Sequence, residues 1–297
     1  MSRTRPQQRA LASGRRTRNL GGIPLTRTPR SMSDDEAFLL IVSSFVLLGT
    51  WFGWYTQAAT VGVRDLPREG RPLLRAIPIV CIALLWLVLR TVASYDVVDD
   101  ARYLLLYTIL GLAWLGVAIR FAAFAGVSMR DDVLERRNGA AAIALGGAML
   151  GITLAFAGGN IGDGPGWWVV VFSAFLSTGA LFVSWLLLDA LTGVSDSVTV
   201  ERDRASGFRL AGFLTAGGIV FGRAVAGDWV STAATVRDFL AYASPMLVLL
   251  LLAAAIERGT RPTAERPHPP AASHGVMPAL LYVLLALGHL ALVGLGN

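Results

Sequence analysis

Few residues in this chain can do chemistry. Asp189 ends the apolar run "LFVSWLLLDALTG" and Arg209 opens "RLAGFLTAGG", an acid and a base at the edges of neighbouring hydrophobic stretches. An ionised side chain at membrane depth costs at least about 2.5–3.5 kcal/mol, so it persists where it is paired or used. The two are therefore expected to form an ion pair that fixes the register of adjacent helices. The alternative makes Asp189 a proton or cation site at an inner vestibule. Thr215, with Thr153 and Ser184, either lines a polar path or bonds back to helix carbonyls, the commoner use of a membrane hydroxyl. Arg120 and Arg223 interrupt apolar runs close to their ends. There a long stem can bury its methylenes and carry the guanidinium to the interface, and both read as structural.

The familiar catalytic patterns are missing. The chain has no His-Glu-x-x-His, no Walker lysine motif and no Gly-x-Ser-x-Gly elbow. All 26 basic residues are arginine, which excludes Schiff-base chemistry and with it a retinal protein or a pyridoxal enzyme. Cys81 is the single cysteine, so neither an intramolecular disulfide nor a cysteine metal cluster can form. His268 and His274 lie six residues apart in the Pro-rich "RPHPPAASHG" with no third ligand nearby, the pattern of a solvated loop. His289, alone in the last apolar run, reads as a helix–helix hydrogen-bonding residue. "GGNIGDGPGWW" reads as a tight turn whose Trp167 and Trp168 anchor the next helix in the interfacial belt. No cofactor, no metal and no enzymatic activity are expected.

The elements that must position these residues are membrane helices. With 54% apolar and 15% charged residues, the chain departs from soluble domains, which carry about 25% charged residues. Uncharged stretches at 37–63, 138–162, 164–188, 239–256 and 276–297 each reach the roughly 18–20 residues that span a bilayer. Stretches 76–95, 103–124 and 210–226 qualify if each admits one arginine, giving eight crossings. The absence of lysine beside abundant Ala, Gly and Arg suggests a GC-rich bacterial genome.

The arginines orient these crossings. Loops after the first, third, fifth and seventh hold Arg64, Arg68, Arg71, Arg75; Arg130, Arg136, Arg137; Arg202, Arg204, Arg209; and Arg258, Arg261, Arg266. The intervening loops hold only Arg102 and Arg237 among several aspartates. The positive-inside bias puts the first set in the cytoplasm. Residues 1–31 disagree, for they carry eight arginines and no acid, yet eight crossings place this tail outside. Either one crossing is miscounted or translation starts at Met32, ahead of "SDDEAFLL". The tail has no apolar core of a signal peptide, and its composition argues for disorder. No aromatic residue interleaves its arginines, so nucleic acid is not an expected partner.

An internal duplication is legible. "VLERRNGAAAIALGGAMLG" and "TVERDRASGFRLAGFLTAGG" align at an offset of 66, pairing Glu135 with Glu201, Arg136 with Arg202, Gly146 with Gly212 and Gly151 with Gly217. Each copy is a hairpin of two crossings with a charged cytoplasmic turn, and a duplicated even-crossing unit keeps its orientation. The expected architecture is all-α and polytopic, with about eight transmembrane helices in tandem two-helix hairpins. A basic tail (1–36) precedes an N-terminal hairpin (37–101), two repeat hairpins (102–163 and 164–229) and a C-terminal hairpin (230–297) with a Pro-rich loop at 257–275. Gly147 and Gly151, Gly218 and Gly222, and Gly49 and Gly53 are spaced four apart, which suits close helix packing in lipid.

The order of these features, a charged step, "AAIALGGAMLG", an outer loop, a helix ending "LLLDALTG" and a second step with "GFRLAGFLTAGG", resembles the YjfL-like bacterial inner-membrane proteins, domain of unknown function 350, over about residues 105–229. That family's usual Asn before the alanines stands here as Asn138-Gly139 in the first copy and as Arg204-Ala205 in the second. The resemblance implies a polytopic inner-membrane protein without assigned chemistry. The expected role is a non-enzymatic membrane scaffold or envelope component, its partners the bilayer, anionic lipid headgroups at the cytoplasmic arginines, and a protein partner or a second copy. The rival is a small-solute or ion conduit between the central hairpins, with Asp189, Arg209 and Thr215 on its path. The charges favour the first, because nearly all lie near helix ends while a coupled transporter usually buries several.

Overall fold

The computed structural model describes residues 32–61, 69–265 and 269–295. Its helices are α1 (Asp34–Thr60), α2 (Arg71–Thr91), α3 (Tyr95–Asp99), α4 (Ala101–Ala118), α5 (Gly139–Gly158), α6 (Trp167–Thr192), α7 (Val194–Thr199), α8 (Arg204–Val225), α9 (Thr232–Ala243), α10 (Pro245–Thr260) and α11 (Met277–Val293). No strand occurs among the described residues. Eight helical stretches are long and apolar enough to cross a membrane, with α9 and α10 together making one 29-residue crossing broken at Ser244 and Pro245. Uncharged runs of this length in hydrocarbon can satisfy their backbone polar groups only internally, and the helix is the local way to do so. The basic tail with its Met32 boundary, Arg64, Arg68, Arg266 and His268 fall in or beside residues outside this description.

Two turns are built alike. Asn138 Oδ1 accepts from the N–H groups of Ala140 and Ala141 at the start of α5, and the Asp203 carboxylate accepts from Ala205 and Ser206 at the start of α8. Behind each cap, the Asn138 N–H donates to the Asp132 carbonyl and the Asp203 N–H to the Ser197 carbonyl. The residue before each cap is a left-handed arginine, Arg137 at φ 57° and Arg202 at φ 58°. All these counterparts are 65 residues apart, one fewer than the offset that pairs Glu135 with Glu201. Capping sets the register, because a short acceptor side chain must meet the orphan N–H groups of the first turn. Asp203, not Arg204, therefore corresponds to Asn138. The sixth crossing also begins at Arg204, so Arg209 lies in its second turn rather than in a loop.

The core is the parallel pair α5 and α8. Of their most apolar stretches 83% and 78% is buried, against 17% in α1 and 11% in the last crossing. Gly207 lies against Ala140, Gly147 against Ala211, Gly151 against Gly218, and Gly158 against Gly222, in one running register from end to end. A methyl at Gly147, Gly151, Gly218 or Gly222 would overlap backbone atoms of the facing helix. Lipid tails are as apolar as side chains, so this backbone approach supplies contact that hydrophobicity alone does not. The outer faces of the pair continue the layer: Gly146 packs on Leu73 and Ile77 of α2, and Gly212 on Ala279 of α11. Gly49 and Gly53 do not join a seam. Space is open at Gly49, and Gly53 faces only the Arg120 guanidinium, because that face of α1 turns away from its neighbours.

Hydrogen bonds separate the two ends of the bundle. Trp167 Nε1 donates to Asp35 Oδ2 at 3.0 Å and the Tyr103 hydroxyl to Glu36 Oε2 at 3.0 Å, joining the starts of α1, α4 and α6. At the same end, Gly227 N–H donates to the Ile161 carbonyl and Trp229 N–H to that of Asp163, both at 2.8 Å. The arginine-bearing turns lie at the other end, where the Arg202 guanidinium donates to the Arg136 carbonyl and Arg204 pairs with Glu69 at 3.1 Å.

Candidate functional site

Arg209 projects from α8 away from α5, toward α10 and the turn before α11. Only 2% of it is exposed, as of Glu257 in the last turn of α10. Arg209 Nε donates to Glu257 Oε2 at 2.5 Å and Nη2 to Oε1 at 2.9 Å, a bidentate pair. Nη2 also donates to Ser206 Oγ at 2.8 Å, and Nη1 to the His274 carbonyl. The capping Asp203 carboxylate stands 3.7 Å away, and Ser206 Oγ lies 2.8 Å from both Asp203 Oδ2 and Glu257 Oε1. One guanidinium, two carboxylates and a hydroxyl thus occupy one buried point where three crossings meet.

The arrangement is chemically a lock. A guanidinium fork matched to a carboxylate is both strong and directional. In a low-dielectric site it holds only if the remaining donors are satisfied, which Ser206 and the His274 carbonyl accomplish. Asp203 is further held by backbone N–H groups at a helix N-terminus, where a negative charge is favoured.

The expected pairing of Asp189 with Arg209 is not formed. The α6 helix runs on to Thr192, leaving Asp189 in its last turn, where Oδ1 accepts from the Ser195 N–H at 2.8 Å and ties α6 to α7. Arg209 leaves α8 on a different face. Thr215 lies in the α5–α8 seam, donating to the carbonyls of Ala211 at 2.8 Å and Gly147 at 3.5 Å, and Thr153 donates to Met149 within its own helix. Arg223 is buried at the opposite end, donating to the Gly294 carbonyl and stacking 4.3 Å over the Tyr242 ring. Arg120 is exposed beside Thr50, Gln57 and Arg130 in a recess of about 170 Å³. His289 Nε2 is buried without a hydrogen-bond partner, so the interhelical bond expected of it is absent from that nitrogen. Among the described residues no group of three metal-ligating side chains converges.

Glu257, Asp203 and Ser206 escape sequence reading. Glu257 directly follows an uncharged run and resembles an interfacial charge, and the offset of 66 hides Asp203 behind Arg204. The available signal was a pair of N-cap residue types, Asn138 and Asp203, each two residues before an alanine.

No curated protein and no solved structure matches the chain. A family model, Domain of Unknown Function (DUF350), matches residues 95–225, from the first residue of α3 to the last of α8. Glu257 and His274 lie beyond that boundary, so the buried lock fastens the C-terminal helices onto the matched region. From α3 through both capped turns to the end of α8, the chain is similar to the DUF350 family model.

Proposed function

We propose that this protein is a non-enzymatic, multi-pass component of a bacterial inner membrane, built on a duplicated hairpin unit and working by contact rather than by conduction. Its basic turns face the cytoplasm, where anionic lipid, a protein partner or a second copy meets them. The carrying observation is the α5–α8 seam. The conduit reading routes solute between the central hairpins, yet there Gly147, Gly151 and Gly218 press on facing backbone, and Thr215 spends its hydroxyl on two carbonyls. A path would have to part helices whose packing is the core of the bundle. Arg209 is likewise fully engaged by Glu257, Ser206 and the His274 carbonyl. The arginine bias toward one end supports the side assignment.

Reconstitution tests this reading. Proteoliposomes containing the folded protein should pass protons, monovalent ions and small polar solutes no faster than empty vesicles. A flux abolished by Thr215→Val or Asp189→Asn, in variants that still fold, would overturn it in favour of a conduit.

A further inference from the structure

The two capped turns enclose a recess that neither the core nor the buried lock uses. It has a volume of about 400 Å³ and is lined by Arg136, Arg137, Arg202 and Arg204, with Glu69 as its one acid among the described residues and Gly139 among its walls. The shape comes from the backbone. Arg137 and Arg202 are the only non-glycine residues with positive φ among the described residues, at 57° and 58°. Left-handed backbone costs a non-glycine residue roughly 1 kcal/mol or more and persists where surrounding structure enforces it. Here both copies hold an arginine in that conformation directly before the cap, and both arginines line one recess.

The charges of the recess are unbalanced. Glu69 pairs with Arg204 at 3.1 Å. Arg202 spends a donor on the Arg136 carbonyl, a neutral acceptor. Arg136 makes only a 3.4 Å contact with Asp132, whose carboxylate already accepts from the Ser128 N–H. Arg137 has no ion pair or hydrogen bond of its side chain among the described residues. Four guanidiniums around one carboxylate repel one another unless a further anion joins them. Several planar forks converging from different directions suit a group with three or more oxygens, which is the geometry of phosphate.

We propose that this recess is a binding site for a phosphate group, carried by an anionic phospholipid headgroup or by a soluble phosphate ester, with the Glu69 carboxylate as its resident competitor. The lipid source rests on the membrane reading above; the phosphate chemistry does not. Glu69 lies beside Gly139 at the start of α5, bonded to Arg204, where one oxygen pair of an incoming phosphate would sit.

The test is anion binding by the full chain purified in neutral detergent, measured by titration calorimetry with inorganic phosphate, glycerol 3-phosphate and short-chain phosphatidylglycerol, against short-chain phosphatidylcholine. Glu69→Gln removes the competing charge and should tighten binding about tenfold, the effect of one nearby charge at an intermediate dielectric. Glu135→Gln makes the same formal change in the 128–138 turn but outside the recess, where Glu135 pairs with Arg130, and should leave affinity within twofold. Arg137→Gln and Arg202→Gln should each weaken binding about tenfold, and Arg130→Gln should not. Tight binding of phosphatidylglycerol alone assigns the site to lipid; tight binding of the soluble phosphates assigns it to a soluble ester. Equal effects of Glu69→Gln and Glu135→Gln would reduce the recess to a diffuse basic surface and overturn the proposal, as would no binding of any of the three anions. Should either arginine variant fail to fold, the comparison of Glu69→Gln with Glu135→Gln still decides.

Discussion

Consider the removal of Glu257. It is bidentate to Arg209, both partners are almost fully buried, and the guanidinium cannot shed its charge. Glu257→Ala therefore leaves an uncompensated cation held by Ser206 Oγ, the His274 carbonyl and the more distant Asp203. Breaking a buried pair from one side costs about 3–5 kcal/mol, while replacing both partners by apolar residues of similar volume is often near neutral. Arg209→Met alone should cost a similar amount by stranding Glu257. The double variant Arg209→Met, Glu257→Met should lose no more than either single change, a coupling of about 3 kcal/mol. Reversible unfolding in mixed micelles, followed by far-ultraviolet circular dichroism against denaturing detergent, supplies the four corners of the cycle. Additive losses, or a Glu257→Ala cost below about 1 kcal/mol, would refute the argument that this pair is the buried lock of the C-terminal helices.

Further consequences follow from the same contacts. Gly147→Ala should destabilise by about 1–3 kcal/mol through overlap with Ala211, while Gly49→Ala, which meets open space, should change stability by under about 0.5 kcal/mol in the same unfolding assay. Asp189→Asn should cost only about 1 kcal/mol, since it weakens one hydrogen bond from the Ser195 N–H and breaks no pair with Arg209; a loss as large as that of Glu257→Ala would contradict the geometry. The side-chain and backbone hydrogen bonds of Arg102 hold the Asp100 carboxyl below the usual carboxylate range. A depressed folded value means that this N-cap contributes fully above the unfolded value near 3.9 and loses its contribution as pH falls through the folded value. Amide exchange in the first turn of α4 should thus rise relative to that of α5 as pH falls below about 4, because the Asn138 cap on α5 does not titrate.

Much of the fold was written in the sequence because lipid enforces it. An uncharged run of some twenty residues has one local solution, and the eight crossings follow from run length with boundaries shifted by a few residues. The spacing of Gly147 and Gly151, and of Gly218 and Gly222, suits helix packing as well as a ligand-lining role, and in the structure all four lie against backbone of the facing helix. What pairs with what was not legible. Both Asp189 and Arg209 stand at the same end of adjacent helices, and sequence adjacency favours pairing them, but partner choice depends on which face of α8 carries Arg209. That face is set by the glycine seam, which turns the opposite side toward α10. The register between the two turns differs from the residue match for a related reason: matching residue types favours Glu and Gly, whereas the geometry is held by caps that differ in type, Asn138 and Asp203. Gly49 and Gly53 show the converse, a packing motif on a helix face with no facing helix backbone among the described residues.

The central claim is that the turns at 128–138 and 193–203 lie together at one end of the bundle, opposite the starts of α1, α4 and α6. Cys81 is the only native thiol, so replacing it with alanine clears the background for single cysteines introduced at Glu135, Glu201, Asp163 and Asp228. Labelling in sealed cells with a membrane-impermeant maleimide should reach positions 163 and 228 and spare 135 and 201 until the membrane is opened. Finding 135 and 201 on opposite sides would contradict the account.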